Sequence, residues 1–217
     1  MLHPRIQYLP PDKRQTFRIN DTKNTADELT AEKKYCKEQI KQKKKNAENP
    51  PHSEKRTIMA EQKNISKEAQ ALSAGIADRA IWFHLLIAAA EKQNVDIEQL
   101  TDDAIFTFGK NLFKDKKAET AAEFVALMTA PGIGQEAFDQ EVIVSDENHA
   151  VAHFHACPLV AAWKSYGLSD ERVKLLCRLA CKGDFGRASN FPKIEIDFPK
   201  TIGNGDPYCE LAAKNRQ

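Results

Sequence analysis

The chain has 217 residues, with 32 Lys and Arg against 31 Asp and Glu and a net charge of +1. This length suits one well-buried domain with an appendage. No run of eighteen apolar residues is present, and residues 1–15 lack the apolar stretch of a signal peptide, so we expect a cytoplasmic protein without a membrane span. Five cysteines are an odd number for a disulfide framework, so they are interpreted as core, metal-binding or catalytic thiols.

The charge is distributed unevenly along the chain. Residues 1–58 carry 14 Lys and Arg against 8 Asp and Glu, whereas residues 59–217 carry 18 against 23. The first segment has no convincing apolar face, which predicts a basic, disordered extension over 1–58 and a folded domain over 59–217. Whether residues 1–58 are part of the native product is left open. Nucleic-acid binding by it is not expected, because it has few aromatic residues.

Helical periodicity fills the first half of the folded domain. A long helix is predicted from Ser66 to Lys92, followed by a turn over Asn94–Gln99 and a helix that Thr101 caps. A further helix is predicted over Ala118–Thr129, and Pro131 and Gly132 end it.

The period then changes to that of strands. Phe138–Ser145 and His149–Ala156 predict a hairpin, and Leu159–Tyr166 predicts a short helix. A helix capped by Ser169 should end near Lys182, which leaves Gly183 and Asp184 in a loop. Strands are predicted over Ile194–Phe198 and Tyr208–Ala212. These elements indicate an α+β fold, with helices packed on one face of a small antiparallel sheet.

Two histidines mark the hairpin. His153 and His155 lie two residues apart on a predicted strand and therefore share one face, where they could bind a metal, transfer a proton or simply face solvent. Cys157 follows where the strand ends.

The last fifth of the chain repeats a pattern of cysteine and Gly-Asp. Cys177 and Cys181 are four residues apart on a helix, and Cys209 follows later on a strand. Asp184 and Asp206 each follow a glycine. Cysteine and aspartate can act as nucleophile and base or bind a metal, although Cys181 is best explained as core and both aspartates also suit ordinary turns.

No phosphate-binding loop, dinucleotide-binding glycine pattern, Cys-x-x-Cys pair, His-Glu-x-x-His helix or Gly-x-Ser-x-Gly turn occurs in the sequence. Several large enzyme classes are thereby excluded.

An ordered set of motifs resembles the L-2-amino-thiazoline-4-carboxylic acid hydrolase family. The set consists of Cys157-Pro158, Gly167, Leu175-Leu176-Cys177, Gly183-Asp184-Phe185 and Gly205-Asp206-Pro207-Tyr208-Cys209-Glu210-Leu211. Leu211 stands where the family commonly has an aromatic residue. The closing Gly-Asp-x-x-Cys pattern is also similar to that of 4-vinyl-reductase-type ligand-binding domains.

The resemblance implies a hydrolase that opens a thiazoline ring to N-carbamoyl-L-cysteine or acts on a related small molecule. It implies a catalytic set of Cys177, Asp184, Cys209 and His155, with Cys157, His153 and Asp206 at the substrate. Either a cysteine attacks, or a bound metal such as zinc supplies hydroxide, with Cys157, Cys177, Cys209 and Asp184 as its candidate ligands.

The alternative function is a small-molecule-binding or sensor domain with a cysteine-rich structural zinc site. The expected partner is a small-molecule substrate. A homo-oligomer is left open, and neither a membrane nor nucleic acid is expected.

Overall fold

A computed structural model describes residues 65–216 of the chain. The predicted extension over residues 1–58 and the predicted domain start at Met59 lie outside the described residues.

The first helix, α1 (Lys67–Lys92), begins where the sequence predicts. The Ser66 hydroxyl caps it by accepting a hydrogen bond from the Ala69 amide at 3.1 Å. A buried stripe follows the helical period and consists of Ala69, Ile76, Ala80, Ile87 and Ala90. By length and composition alone, α1 is also apolar enough to cross a membrane, a test that core helices of globular proteins pass as well.

The next helix begins earlier than predicted. Asp96 caps α2 (Ile97–Thr101), because its carboxylate accepts hydrogen bonds from the Glu98 and Gln99 amides at 2.9 and 3.2 Å. A π-helical turn (Asp102–Phe106) then leads into α3 (Thr107–Phe113). Thr101 is buried within this helical run, and its hydroxyl donates to the Ile97 carbonyl at 2.8 Å. The predictions of a Thr101 cap and of a turn lasting to Gln99 are therefore wrong.

The middle of the chain forms two short helices and a hairpin. A reciprocal cap between Thr120 and Glu123 begins α4 (Ala121–Met128). The unpredicted α5 (Ile133–Phe138) has only six residues, too few for a periodic signal. The predicted hairpin is confirmed as β1 (Gln140–Ser145) and β2 (His149–Phe154).

The last two helices are α6 (Pro158–Ser165) and α7 (Asp170–Ala188). Ser169 caps α7 as predicted, but α7 does not end near Lys182. It continues for six further residues through Gly183 and Gly186, so the prediction of a loop at Gly183 and Asp184 is wrong.

Glycines allow α3 and α7 to pack closely against each other. A Cβ on Gly109 of α3 would collide with the Gly183 carbonyl, and one on Gly186 would collide with the Phe106 carbonyl. The missing side chains therefore allow the backbones of α3 and α7 to touch, and this contact outweighs the low helix propensity of glycine.

The sheet is completed by β3 (Ile194–Lys200) and β4 (Cys209–Asn215), in the antiparallel order β1-β2-β4-β3. One core cluster joins this sheet to α4, and its buried members include Phe124, Ala152, Phe191, Ile196 and Leu211. The second cluster joins α1, α6 and α7 around Trp163, whose indole N–H donates to the Ala80 carbonyl at 2.8 Å. The predicted α+β class is confirmed.

We expect Gly186→Ala to lower the free energy of unfolding by about 1–3 kcal/mol, because the new methyl group would collide with the backbone of α3. Urea unfolding at constant m-value measures this. Gly134→Ala in α5 is the matched control, since a Cβ there meets nothing within 4 Å, and it should be neutral or stabilising by up to about 1 kcal/mol. Equal effects of the two substitutions would contradict the packing argument.

Candidate functional site

One face of α7 carries two of the four cysteines in the described part of the chain, together with two charged residues. Cys177, Cys181 and Asp184 are spaced i, i+4 and i+7, and Arg187 follows one turn later. Residues at this spacing align along one side of a helix. The continuation of α7 past Lys182 is what places the thiols and the two charged groups in one row.

This face lines a cavity of about 340 Å³. Cys157 at the end of β2 and Cys209 at the start of β4 reach the same cavity. Most of the remaining lining is apolar and includes Phe83, Phe108, Leu112, Phe138, Phe154 and Phe198. The predicted convergence of Cys177, Cys209 and Asp184 on one pocket is thus observed.

Cys177 is the thiol most readily ionised in the cavity. A hydrogen bond from Cys181, with further ones from the Thr201 hydroxyl and the Gly203 amide, lowers the pKa of Cys177 from 9.0 to about 7. Burial and the nearby Asp184 carboxylate act in the opposite direction. The hydrogen bonds outweigh these effects, so the site favours the Cys177 thiolate.

The other three thiols hold their protons. Donation to Cys177 and burial raise the pKa of Cys181 well above its ordinary value. Burial raises the pKa of Cys157 to about 12 and that of Cys209 to about 11. Of the four cavity thiols, only Cys177 is a candidate nucleophile near pH 7.

A turn after β3 holds the other two groups that stabilise the Cys177 thiolate, Thr201 and Gly203. The Thr201 hydroxyl accepts from the Asn204 amide at 3.2 Å, and the Asp206 carboxylate accepts from the Thr201 amide at 2.8 Å. Gly203 lies against Cys177 so closely that a Cβ would collide with the sulfur. Asp206 is therefore placed in the turn that positions Thr201, and it is not among the residues that line the cavity.

The other end of the α7 face is polar. Arg187 Nη1 contacts an Asp184 carboxylate oxygen at 3.2 Å and the Met128 sulfur at 3.8 Å. Burial raises the pKa of Asp184, and the positive charge of Arg187 opposes that rise.

Two polar atoms at this end are buried and have no hydrogen-bond partner among the residues described, namely Arg187 Nε and Gln140 Oε1. Both residues line the cavity, and the Gln140 amide donates to the Met128 carbonyl at 3.4 Å. A buried donor and a buried acceptor left unpaired at a cavity wall indicate a place for a polar ligand group.

His153 and His155 lie elsewhere. They share one face, as predicted, and His153 Nε2 is 3.2 Å from Glu210 while His155 Nε2 is 3.1 Å from Glu141. The Tyr208 ring stacks on His153 with centroids 3.9 Å apart. Neither histidine is among the cavity-lining residues, because side chains alternate along β2 and Phe154 takes the cavity side.

The candidate metal ligands do not form a metal site. Among residues 65–216, no group of three or more His, Cys, Asp or Glu side chains is placed to hold a metal ion. Cys157, Cys177, Cys209 and Asp184 line one cavity, but their geometry does not support the predicted zinc ligation.

Sequence reasoning missed Cys181, Arg187, Gln140 and Thr201 as contributors to the site. The i, i+4, i+7 spacing of Cys177, Cys181 and Asp184 is a signal that was present in the sequence, but it carries weight only if the helix continues through Gly183.

Fold and cavity together define a small α+β protein with a thiol-lined, largely apolar binding cavity. The family model described as L-2-amino-thiazoline-4-carboxylic acid hydrolase matches residues 73–212, and the chain belongs to that family. The remote similarity to 4-vinyl-reductase-type domains stays a prediction.

Among curated proteins, no match was found. One solved structure that the chain resembles is trafficking protein particle complex subunit 3 from Naegleria fowleri, covalently bound to palmitic acid. The TM-score is 0.46 and the sequence identity 14%, over 66% of this chain and 96% of that one.

Alkylation of Cys177 by iodoacetamide should increase with pH around a midpoint of about 7, because only the thiolate attacks. Cys181→Ala removes a hydrogen-bond donor, so the midpoint should move upward toward 9.0. Peptide mass spectrometry of quenched time points measures the rate of Cys177 alkylation in the wild-type protein and in the Cys181→Ala variant. Cys157→Ala is the matched control, since that thiol shares the cavity and stays protonated. An unchanged midpoint in Cys181→Ala would contradict the assigned hydrogen bond.

Proposed function

We propose that the protein is a cysteine-dependent hydrolase of a small heterocyclic amidine, the chemical class of L-2-aminothiazoline-4-carboxylate, and that Cys177 is its nucleophile. The observation that carries the proposal is the Cys177 thiol on the wall of an apolar cavity, where hydrogen bonds from Cys181, the Thr201 hydroxyl and the Gly203 amide favour its thiolate. Family membership supports a hydrolase. The geometry adds a reason why one particular thiol would react.

In the first step, the Cys177 thiolate attacks the ring carbon between nitrogen and sulfur. The ring carbon–sulfur bond breaks, and its electron pair leaves with the ring sulfur, which takes up a proton. An isothiourea joined to Cys177 results. Water then adds to the same carbon, the bond to Cys177 breaks, and N-carbamoylcysteine leaves with the thiolate restored. One water is consumed overall, and no oxidant or reductant is required.

Asp184 is the proposed acid. Protonation of the ring nitrogen makes the attacked carbon more electrophilic, and a raised pKa lets a carboxyl group supply that proton more readily near neutral pH. Asp184 lies two helical turns from Cys177, about 10 Å along the axis. Because the ring nitrogen adjoins the attacked carbon, the proton passes from Asp184 to that nitrogen through a bridging water.

Arg187 and Gln140 are the proposed recognition groups. The free Arg187 Nε–H suits a carboxylate oxygen of the substrate, and the free Gln140 Oε1 suits an N–H group. The apolar lining beyond them favours a substrate with an apolar body or substituent.

The second candidate function is a binding domain for an apolar small molecule, and the specific observation in its favour is the phenylalanine-rich lining of the cavity. It requires no reactive thiolate. Structural zinc is not part of this candidate, because the described residues provide no ligand set.

Catalysis should appear as release of free thiol from L-2-aminothiazoline-4-carboxylate over many turnovers by the full-length protein. Cys177→Ala should abolish it, whereas Cys209→Ala, which removes a protonated thiol from the same cavity, should retain most of it. A dithionitrobenzoate assay measures the rate, and circular dichroism verifies folding. Full activity in a folded Cys177→Ala variant would refute the assignment of Cys177 as the nucleophile. No activity, together with an apolar ligand retained in native mass spectra, would favour the binding domain.

Arg187→Lys should raise KM about tenfold or more and leave kcat nearly unchanged, because the charge stays while the Nε–H donor is lost. Steady-state kinetics with L-2-aminothiazoline-4-carboxylate measures this. With 2-aminothiazoline, which lacks the carboxylate, the variant and the wild-type protein should have the same KM. An equal loss on both substrates would contradict carboxylate recognition by Arg187.

A further inference from the structure

Cys181 is a protonated thiol of the cavity that the proposed reaction does not use. It lies one helical turn from Cys177 on the same face of α7, and both residues line the cavity. Its thiol donates a hydrogen bond to the Cys177 sulfur. A protonated sulfur that contacts the nucleophile inside the substrate cavity is placed to take part in proton transfer.

Ring opening requires a proton at the departing sulfur. When the ring carbon–sulfur bond breaks, the ring sulfur leaves as a thiolate, and a positioned acid lowers the barrier by protonating it. Just before that step, the ring sulfur and the Cys177 sulfur are bonded to the same carbon, so the two sulfur atoms are neighbours. A donor that contacts the Cys177 sulfur from within the cavity therefore also reaches the departing sulfur.

Of the three groups that donate to the Cys177 sulfur, only Cys181 belongs to the cavity lining. The Thr201 hydroxyl and the Gly203 amide are in the turn after β3, and neither residue is among those that line the cavity. Asp184 lines the cavity, but it lies about 10 Å from Cys177 along the helix axis. Cys181 is therefore the donor that meets both the nucleophile and the substrate.

The remaining two cavity thiols have different hydrogen-bond partners. The Cys209 sulfur accepts from the Ile202 amide at 3.3 Å. The Cys157 sulfur accepts from backbone amides at the start of α6, those of Val160 and Leu159. Both sulfur atoms are thus held by the backbone, which makes these two residues suitable comparisons for Cys181.

We propose that Cys181 is a catalytic acid and base of this site, a role that rests on the proposed function. In ring opening, the Cys181 S–H bond breaks, its proton passes to the departing ring sulfur, and Cys181 becomes a thiolate. In hydrolysis, that thiolate takes one proton from the water as the water oxygen bonds to the carbon. The bond from the carbon to Cys177 then breaks, its electron pair returns to Cys177, and the second water proton passes to Asp184. Asp184 thereby regains the proton that it gave to the ring nitrogen.

Formation of the covalent intermediate makes Cys181 more acidic when its proton is needed. The hydrogen bond to Cys177 is the largest cause that raises the pKa of Cys181, and burial and the charge of Cys177 add to it. Once Cys177 is bonded to the ring carbon, its sulfur is no longer negative, so the pKa of Cys181 falls. Donor and acceptor are then both thiols, which suits proton transfer in either direction.

Cys181→Ser separates proton transfer from hydrogen bonding. The serine hydroxyl still donates to the Cys177 sulfur, but it is a far weaker acid than a thiol. Iodoacetamide should therefore alkylate Cys177 at nearly the wild-type rate, as measured by peptide mass spectrometry. With L-2-aminothiazoline-4-carboxylate, kcat should fall about 100-fold or more, because general acid–base catalysis contributes that much. The dithionitrobenzoate assay with the full-length protein measures kcat, and circular dichroism verifies folding.

Cys209→Ser is the matched control, since it makes the same replacement at another protonated thiol of the cavity, and it should lower kcat much less than Cys181→Ser. A folded Cys181→Ser variant with wild-type kcat overturns the proposed role. So does a variant whose Cys177 alkylation falls as far as its kcat, because Cys181 would then act only by stabilising the thiolate. A wild-type protein that does not hydrolyse the substrate overturns the proposed function and this role with it, whereas the first two outcomes leave the proposed function intact.

Discussion

The backbone contact between α3 and α7 is the constraint on which the rest of the structure depends. Gly109 and Gly186 have no side chains to separate the two helices, so α7 continues to Ala188 with its second half packed against α3. Were α7 to end near Lys182, Asp184 and Arg187 would belong to a loop with no fixed relation to Cys177. The glycines that weaken the helix locally thus align its reactive face through a long-range contact.

The cavity thiols differ in pKa because their surroundings differ. Near Cys177, the Cys181 thiol and then the Thr201 turn supply donors that together outweigh burial, and a thiolate is favoured. Cys157 and Cys209 lie in the same cavity, and burial is the main cause that raises their pKa values, because their backbone hydrogen bonds do not outweigh it. Four cysteines in one cavity therefore do not form one functional group, because each thiol responds to the groups that touch its sulfur.

Local signals predicted local structure well. The Ser66 and Ser169 caps and the hairpin depend on neighbouring residues, and all are confirmed. Sequence reasoning failed where a distant contact decides the outcome. Gly183 suggests a helix end, because nothing in the neighbouring sequence indicates that its carbonyl packs against Gly109, more than seventy residues away. The role of Cys181 depends on the same helix continuing, and that of Thr201 depends on a turn that folds back onto Cys177.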